Sequence, residues 1–166
     1  MPAEPDRRLF RSAGAPATWG ELRAGFRWPV PARFNIADAC CDSWAAADPE
    51  RVALIDLSEG EALWSYGRLK AASDRLANAF AARGVRRGDR VAVLLPQGVA
   101  VMIAHFAALK LGAVGLPLFT LFGPEALAYR LADSGAKLVV TDGENLEKVL
   151  GLRAELPDLA EVYAIS

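Results

Sequence analysis

The stretch that decides the fold runs from Leu109 to Glu125 and reads LKLGAVGLPLFTLFGPE. It predicts the end of one helix, a short strand and the start of a second helix. Gly112 stands where a left-handed C-terminal cap would end the first helix, and the apolar run 113–118 follows as a strand. The Gly-Pro-Glu sequence at 123–125 opens the next helix, with proline at its first position. A loop that joins the carboxyl end of a strand to a helix is where open α/β sheets bind ligands.

Composition limits the classes of partner that this chain can have. It has 166 residues, 53% of them hydrophobic, which is enough to bury a core in one domain. With 19 basic and 20 acidic residues the net charge is −1, which argues against nucleic acid or an anionic membrane surface as the main partner. Cys40 and Cys41 are adjacent, a spacing that suits neither a disulfide framework nor a metal site. Free cysteines of this kind predict a cytoplasmic location.

One segment imitates a membrane span, because residues 91–109 carry no formal charge. Pro96-Gln97-Gly98 interrupts that run after five residues, and Arg90 and Lys110 bracket it. We therefore expect a buried strand, a turn and a half-buried helix here, and no membrane span.

The chain divides near residue 33. Five of the ten prolines fall within the first 31 residues, which predicts that 1–33 form an extended arm. The arm contains one short helix, because Thr18 and Glu21 have the spacing of a capping box. Residues 34–166 alternate between helical and strand patterns. The predicted helices are 34–47, 66–83, 99–111, 124–134 and 145–156, and the predicted strands are 52–56, 62–65, 90–95, 114–118, 137–141 and 161–165.

Two details of this pattern, the buried face of the first helix and the pairing of the first two strands, are specific predictions. The first helix has an apolar stripe at Ile36, Cys40, Trp44 and Ala47, and both cysteines are expected to be packing residues. Strands 52–56 and 62–65 flank a turn at 58–60 and predict a hairpin.

The strands that begin near 90, 114 and 138 recur every 24 residues with a helix between them. This rhythm is typical of right-handed βαβ units, so we predict an α/β fold with three α/β/α layers and a mostly parallel sheet. The last predicted strand has no covering helix after it. That arrangement predicts a sheet that continues in a longer protein, with self-association through an uncovered face or edge of the sheet.

Several motifs occur in a fixed order along this pattern. They are Trp64-Ser65-Tyr66-Gly67-Arg68-Leu69, Gly84-Val85 with Gly88-Asp89-Arg90, Leu109-Lys110-Leu111-Gly112-Ala113, and Phe122-Gly123-Pro124-Glu125. In this succession the chain resembles the AMP-forming acyl-CoA synthetases, in the branch that makes acetyl-CoA and medium-chain acyl-CoA. The likeness begins near residue 18 and extends to the end. One departure is Arg68, which stands where the first motif has an acidic residue and which places a cation at the positive end of a helix dipole.

The resemblance implies an activity for a complete enzyme of which this chain is the N-terminal part. Such an enzyme joins a small-molecule carboxylic acid to CoA through an acyl-adenylate, and it uses ATP, CoA and Mg²⁺. The family's phosphate loop, its ribose-binding aspartate and its late catalytic lysine have no counterpart in this sequence. We therefore assign no catalytic residue and no metal ligand, predict that the chain alone is inactive, and expect none of these ligands to bind tightly to it.

The resemblance also implies one binding element, the loop that contains Phe119, Thr120 and Leu121. In the CoA-ligating branch this loop lies near the adenine end of CoA, and uncharged aromatic and hydroxyl side chains suit a base. The alternative, that Phe119 and Phe122 plug the edge of the sheet, stays open. Lys148 is the one candidate for a CoA phosphate in the segment that follows, and the competing interpretation is a solvated helix lysine.

Other interpretations remain at this point. His105, the single histidine, is predicted to have a structural role, because no nucleophile or metal partner stands near it in the sequence. The whole chain could instead be a stand-alone α/β nucleotide-binding module without catalysis, or a regulatory subunit. A reading frame that continues past Ser166 into a phosphate loop would favour the synthetase.

Overall fold

The computed structural model describes residues 18–27, 30–57 and 60–165. These residues fall into two units, and the division lies between Phe34 and Asn35. In the first unit, α1 (Trp19–Gly25) begins at the predicted capping box. The Thr18 hydroxyl accepts a hydrogen bond from the Glu21 amide, and the Glu21 carboxylate accepts one from the Thr18 amide. Residues 1–17 and 28–29 of the predicted arm lie outside the described part of the chain.

The first helical segment of the second unit differs from its predicted stripe. It contains a π-helical turn, Asp38–Asp42, that continues into α2 (Ser43–Ala47). Ala37, Cys41 and Ala45 are buried, whereas the predicted stripe residues Ile36, Cys40 and Ala47 are exposed. The Ser43 amide bonds to the Asp38 carbonyl, five residues back. The buried positions keep the four-residue spacing of the predicted stripe but are displaced from it by one residue, so the prediction was wrong in the phase of the buried face.

The predicted hairpin is confirmed. Strands β1 (Val52–Asp56) and β2 (Ala62–Ser65) pair antiparallel, with Ile55 opposite Leu63. Of the predicted turn at 58–60, residues 58 and 59 lie outside the described part of the chain.

Helix α3 (Tyr66–Ala82) follows β2 directly. The Ser65 hydroxyl caps it by accepting a hydrogen bond from the Arg68 amide at 3.3 Å. The guanidinium of Arg68 lies 4.3 Å from the centre of the Trp64 ring, and it donates to the Leu63 carbonyl. The cation at this helix start is thus stabilised by a carbonyl and an aromatic face rather than left against the dipole.

Four strands form the central sheet in the order β4-β3-β5-β6, and every neighbouring pair is parallel. The strands are β3 (Arg90–Leu94), β4 (Val114–Pro117), β5 (Leu138–Asp142) and β6 (Glu161–Ile165). The helices between them are α4 (Val99–Lys110), α5 (Pro124–Ser134) and α6 (Gly143–Leu152), the last extended by a 3₁₀ turn, Arg153–Glu155. These elements confirm the predicted βαβ units.

Helices cover both faces of this sheet, so the three-layer prediction is confirmed. On one face α3 and α4 contribute Phe80 and Ala107 to a core with Val91 and Val93. On the other, side chains of α5 and α6 pack against alternate strand positions. These residues are Ala92, Leu94, Leu127, Leu131, Val139, Val149 and Leu152.

The expectation of an uncovered sheet face is therefore wrong for the start of the last strand, where Val162 packs against one core and Tyr163 against the other. The end of this strand, Ala164 and Ile165, is exposed. The Tyr163 ring meets Phe80 edge to face, with the ring centres 5.3 Å apart. Among the described strands, β4 and β6 each have one neighbour, so they are the two edges of the sheet.

The segment that imitates a membrane span forms β3, a turn and α4, as predicted. In the described part of the chain, no helix combines the length and the apolar character needed to cross a bilayer. Lys110, at the end of α4, has a side chain only 10% exposed and bonds to the carboxylates of Asp42 and Asp74. This ion cluster ties α4 to α3 and to the π-helical turn.

Candidate functional site

The candidate site lies at the edge of the parallel sheet where the strands end at their carboxyl termini. The loop 118–123 leaves β4 at this edge, and α6 begins directly after β5. Leu94 of β3 is level with Thr141 of β5, so the ends of the central strands meet there. The connections from these two adjacent strands run to opposite sides of the sheet, and open α/β sheets bind ligands at such a position.

The loop after β4 is anchored at its start and exposed at its middle. The Leu118 amide bonds to the Val93 carbonyl at 2.9 Å, and the Leu118 side chain is buried. The next residues turn back, because the Phe122 amide bonds to the Phe119 carbonyl at 3.0 Å. Phe119 is 59% exposed and Leu121 is 79% exposed. The loop therefore presents apolar side chains to the outside of the sheet edge.

The two phenylalanines of this loop have different environments. Phe122 is half-buried and packs against the core under α5 and α6. Phe119 meets it edge to face, with the ring centres 5.9 Å apart and the planes at 78°. Phe122 thus packs at the sheet edge, whereas the ring of Phe119 is mostly exposed in this chain.

Helix α5 supplies a cation to this aromatic pair. Its N-terminus has Pro124 at the first position, and Gly135 at its end has φ of +57°. The guanidinium carbon of Arg130 lies 4.2 Å from the centre of the Phe122 ring. A cation over an aromatic face stabilises the ring in that position.

Helix α6 begins with a compact polar arrangement. One carboxylate oxygen of Asp142 accepts hydrogen bonds from the Asn145 backbone amide at 2.8 Å and from its side-chain amide at 2.9 Å. Asn145 is 6% exposed. Its side-chain oxygen accepts a hydrogen bond from the Lys148 ammonium at 2.9 Å.

Lys148 is not the solvated helix lysine of the competing interpretation. It is half-buried rather than solvated, and its ammonium donates to the carbonyls of Thr120 and Phe122 at 3.2 and 3.3 Å. Two of its hydrogen bonds therefore go to the loop that carries Phe119, and the third goes to Asn145 on α6. Sequence reasoning identified the residue but missed this contact, because the partners lie 26 and 28 residues away.

One buried hydroxyl at this edge has no partner. Thr141, one residue before the end of β5, is fully buried, and its Oγ1 atom makes no hydrogen bond among the described residues. A buried hydroxyl without a partner costs about 1–3 kcal/mol. The sequence carried no signal of it.

The remaining candidates lie away from this edge. His105 is half-buried on α4, beside Gly115 of β4, and burial lowers the pKa of its imidazole. This surrounding agrees with a structural role. Within residues 18–27, 30–57 and 60–165, no three carboxylate, imidazole or thiol side chains are grouped closely enough to hold a metal ion.

Comparison with known protein families gives a match over most of the chain. A family model described as AMP-binding enzyme matches residues 41–166. The acetyl-coenzyme A synthetase of Sodalis glossinidius (strain morsitans) is 37% identical over 133 residues, which are 78% of this chain and 20% of that enzyme. The chain spans about a fifth of the length of the curated relatives that it matches.

Solved structures give the same picture. The acyl-CoA synthetase of Brucella canis is similar with a TM-score of 0.70 and 36% identity, over 80% of this chain and 24% of that chain. The inhibitor-bound N-terminal domain of FACL13 from Mycobacterium tuberculosis is similar with a TM-score of 0.73 and 25% identity, over 80% of this chain and 34% of that chain.

Proposed function

The chain belongs to the AMP-binding enzyme family, and from that membership we propose that it is the N-terminal portion of an AMP-forming acyl-CoA synthetase. The complete enzyme converts a carboxylic acid, ATP and CoA to acyl-CoA, AMP and pyrophosphate through an acyl-adenylate. The observation that carries the proposal is the 37% identity to an acetyl-coenzyme A synthetase over 78% of this chain. Acetate, medium-chain acids and aryl acids are all open as substrates.

The 166-residue chain by itself does not adenylate a carboxylic acid. Phosphoryl chemistry depends on cations and backbone donors placed at the developing charge, and no Ser/Thr/Gly-rich phosphate loop stands in this sequence. ATP, CoA and Mg²⁺ are ligands of the complete enzyme, and none binds tightly to this chain alone. The described residues offer no carboxylate cluster for Mg²⁺, so we assign it no ligand here.

The test is pyrophosphate exchange with purified chain and, in parallel, with the complete enzyme. We expect exchange that depends on acid and ATP from the complete enzyme and none from the chain. Turnover by the chain would overturn the proposal that it is inactive alone. A complete enzyme that fails to form acyl-CoA with any acid would overturn the assigned activity.

Within that enzyme, Phe119, Thr120 and Leu121 contact the adenine end of CoA. The support is chemical: an exposed aromatic ring, a hydroxyl and an aliphatic side chain stand together at the carboxyl edge of the sheet without a charge among them. A planar ring of this kind can stack on a base.

The test is Phe119→Ala in the complete enzyme. Loss of one base–aromatic stacking contact raises the KM for CoA roughly tenfold, while acid-dependent pyrophosphate exchange is unchanged. Tyr129→Ala is the matched control, since Tyr129 is an exposed aromatic residue on α5 outside the loop. An unchanged KM for CoA in Phe119→Ala would remove this role from the loop.

Three further properties belong to the proposal. The α/β subdomain spans 34–166, and 1–33 form an arm. The location is cytoplasmic, supported by two free cysteines, Cys40 and Cys41.

Self-association, if this chain is made alone, proceeds through the edge strands β4 and β6, because edge strands expose unpaired backbone groups. Sedimentation velocity of the chain at two concentrations tests this last property.

A further inference from the structure

The side chain of Lys148, on α6, forms hydrogen bonds to the loop 118–123, which lies far from it in the sequence. Its ammonium has three protons to donate, and three acceptors surround it: the carbonyls of Thr120 and Phe122 and the side-chain oxygen of Asn145. Both carbonyls belong to a loop without regular secondary structure. The lysine thus supplies to this loop hydrogen bonds that its own backbone does not make.

Asn145, which accepts one of the hydrogen bonds from Lys148, is itself held in place. Asn145 is buried and bonds twice to Asp142, the residue at which β5 ends and α6 begins. A continuous path of hydrogen bonds therefore runs from the end of a central strand, through Asn145 and Lys148, to the loop. Because the side-chain amide is held at one end, it orients the ammonium at the other.

The side chain of Phe119 is the exposed part of this loop. Its ring is 59% exposed and forms an edge-to-face pair with the ring of Phe122. Phe122 is held in turn by the core and by the guanidinium of Arg130. The carbonyl of Phe122 is one of the two that Lys148 binds, so the lysine and the arginine hold the same residue from its backbone and from its ring.

We propose that Lys148 is a positioning residue that fixes the backbone at Thr120 and Phe122, so that the Phe119 ring is presented in one orientation at the carboxyl edge of the sheet. The same geometry assigns it no direct contact with a phosphate, because its three protons are already bonded. The consequence for CoA rests on the proposed function of this loop. The positioning itself does not.

The first experiment measures the loop directly, by hydrogen exchange of the 166-residue chain with peptide resolution over 119–123. Lys148→Met keeps the aliphatic stem and removes the ammonium. Loss of hydrogen bonds to a charged group is expected to speed exchange at the Phe122 amide about tenfold, and Lys148→Arg restores part of the protection. Lys70→Met is the matched control, because Lys70 bonds to Asp74 on α3, away from the loop. Exchange at 119–123 that is the same in Lys148→Met and Lys70→Met would overturn the proposal.

If Lys148→Met does not fold, Lys148→Gln and Asn145→Ala carry the same test, since each weakens the path at a different point. The far-ultraviolet circular dichroism spectrum of each variant decides whether it is used. Loop exchange that rises in folded Asn145→Ala supports the proposal, and unchanged exchange in both folded variants contradicts it.

The second experiment uses the complete enzyme and separates positioning from phosphate binding. Lys148→Met is expected to raise the KM for CoA and for dephospho-CoA by the same factor, with acid-dependent pyrophosphate exchange unchanged. A larger loss for CoA than for dephospho-CoA would mean direct phosphate contact and would overturn the positioning role. Faster loop exchange with an unchanged KM for CoA would support the positioning role and refute the CoA function of the loop, so the two failures are distinguishable.

Discussion

The imidazole of His105 lies directly against Gly115: its Nδ1 atom is 3.1 Å from the position that a Cβ at residue 115 would occupy. Helix α4 and edge strand β4 approach each other closely at this point because one of the two residues has no side chain. A half-buried imidazole fills the space that any larger residue at 115 would need.

Gly115→Ala is therefore expected to destabilise the chain by roughly 1–2 kcal/mol, because the ring must shift within a packed layer. Urea unfolding measures the change. The same substitution in a His105→Ala background should cost much less, since the two residues are in contact and their effects are not additive. Gly151→Ala on α6 is the control for adding a methyl group: nothing lies within 4 Å of its Cβ position, and we expect no loss of stability there. Equal losses in both backgrounds would contradict the contact.

The buried hydroxyl of Thr141, which is unpartnered among the described residues, predicts a substitution that stabilises the chain. Replacing a buried, unpartnered polar atom by a methyl group of similar shape removes its desolvation cost. Thr141→Val should raise the free energy of unfolding by about 1 kcal/mol, and Thr141→Ser, which retains the hydroxyl, should not raise it. A destabilised Thr141→Val would show that the hydroxyl has a partner in solution, such as a buried water.

Asp89 links stability to pH. Its carboxylate accepts hydrogen bonds from the Lys137 ammonium at 2.7 Å and from the Arg86 amide at 2.8 Å, and these lower its pKa. A carboxyl whose pKa is lower in the folded than in the unfolded state stabilises the fold above the unfolded value of about 3.9. That contribution disappears as the pH falls through the folded value.

Asp89→Asn should accordingly cost roughly 1 kcal/mol at pH 7, and the difference from the unsubstituted chain should shrink as the pH approaches 3. Chemical unfolding at a series of pH values measures this. In a Lys137→Met background, which removes the other partner, the cost of Asp89→Asn at pH 7 should be smaller. A cost of Asp89→Asn that stays constant from pH 7 to pH 3 would contradict the ion pair.

The wound sheet could be predicted because its signals are local. Helix α5 occupies the predicted residues 124–134, since Pro124 fixes its first turn and Gly135 adopts the left-handed conformation at its end. The strands before and after it, β4 and β5, are short and mostly apolar. The coverage of the last strand was not predictable in this way. Tyr163 packs on Phe80, a residue far earlier in the chain, and no local pattern reports such a contact.

The sequence predicted which residues form the loop of the candidate site, but not the contacts that hold that loop in place. An uncharged loop after a strand suggested a binding element, and the exposure of Phe119 agrees with that. What holds the loop could not be inferred, because Lys148 reaches carbonyl groups, which every residue possesses and which leave no trace in the sequence. Asp142 and Asn145 carry only a weak signal in the sequence, an acidic cap three residues before an amide.

The π-helical turn places the two adjacent cysteines in opposite environments, and this gives a final prediction. Cys41 is buried, and burial, followed by the charge of Asp42, raises its pKa to about 11. Cys40 is exposed. Because the thiolate is the reactive form, only about one molecule in a thousand has a reactive Cys41 at pH 8.

Alkylation of the folded chain with iodoacetamide should therefore modify Cys40 roughly a hundredfold faster than Cys41, as measured by mass spectrometry of the peptide that contains both. Cys40→Ser should leave the folded chain almost unlabelled, and denaturant should restore labelling of Cys41. Similar rates for the two thiols in the folded chain would contradict the burial of Cys41, and faster labelling of Cys41 than of Cys40 would indicate the phase predicted from the apolar stripe.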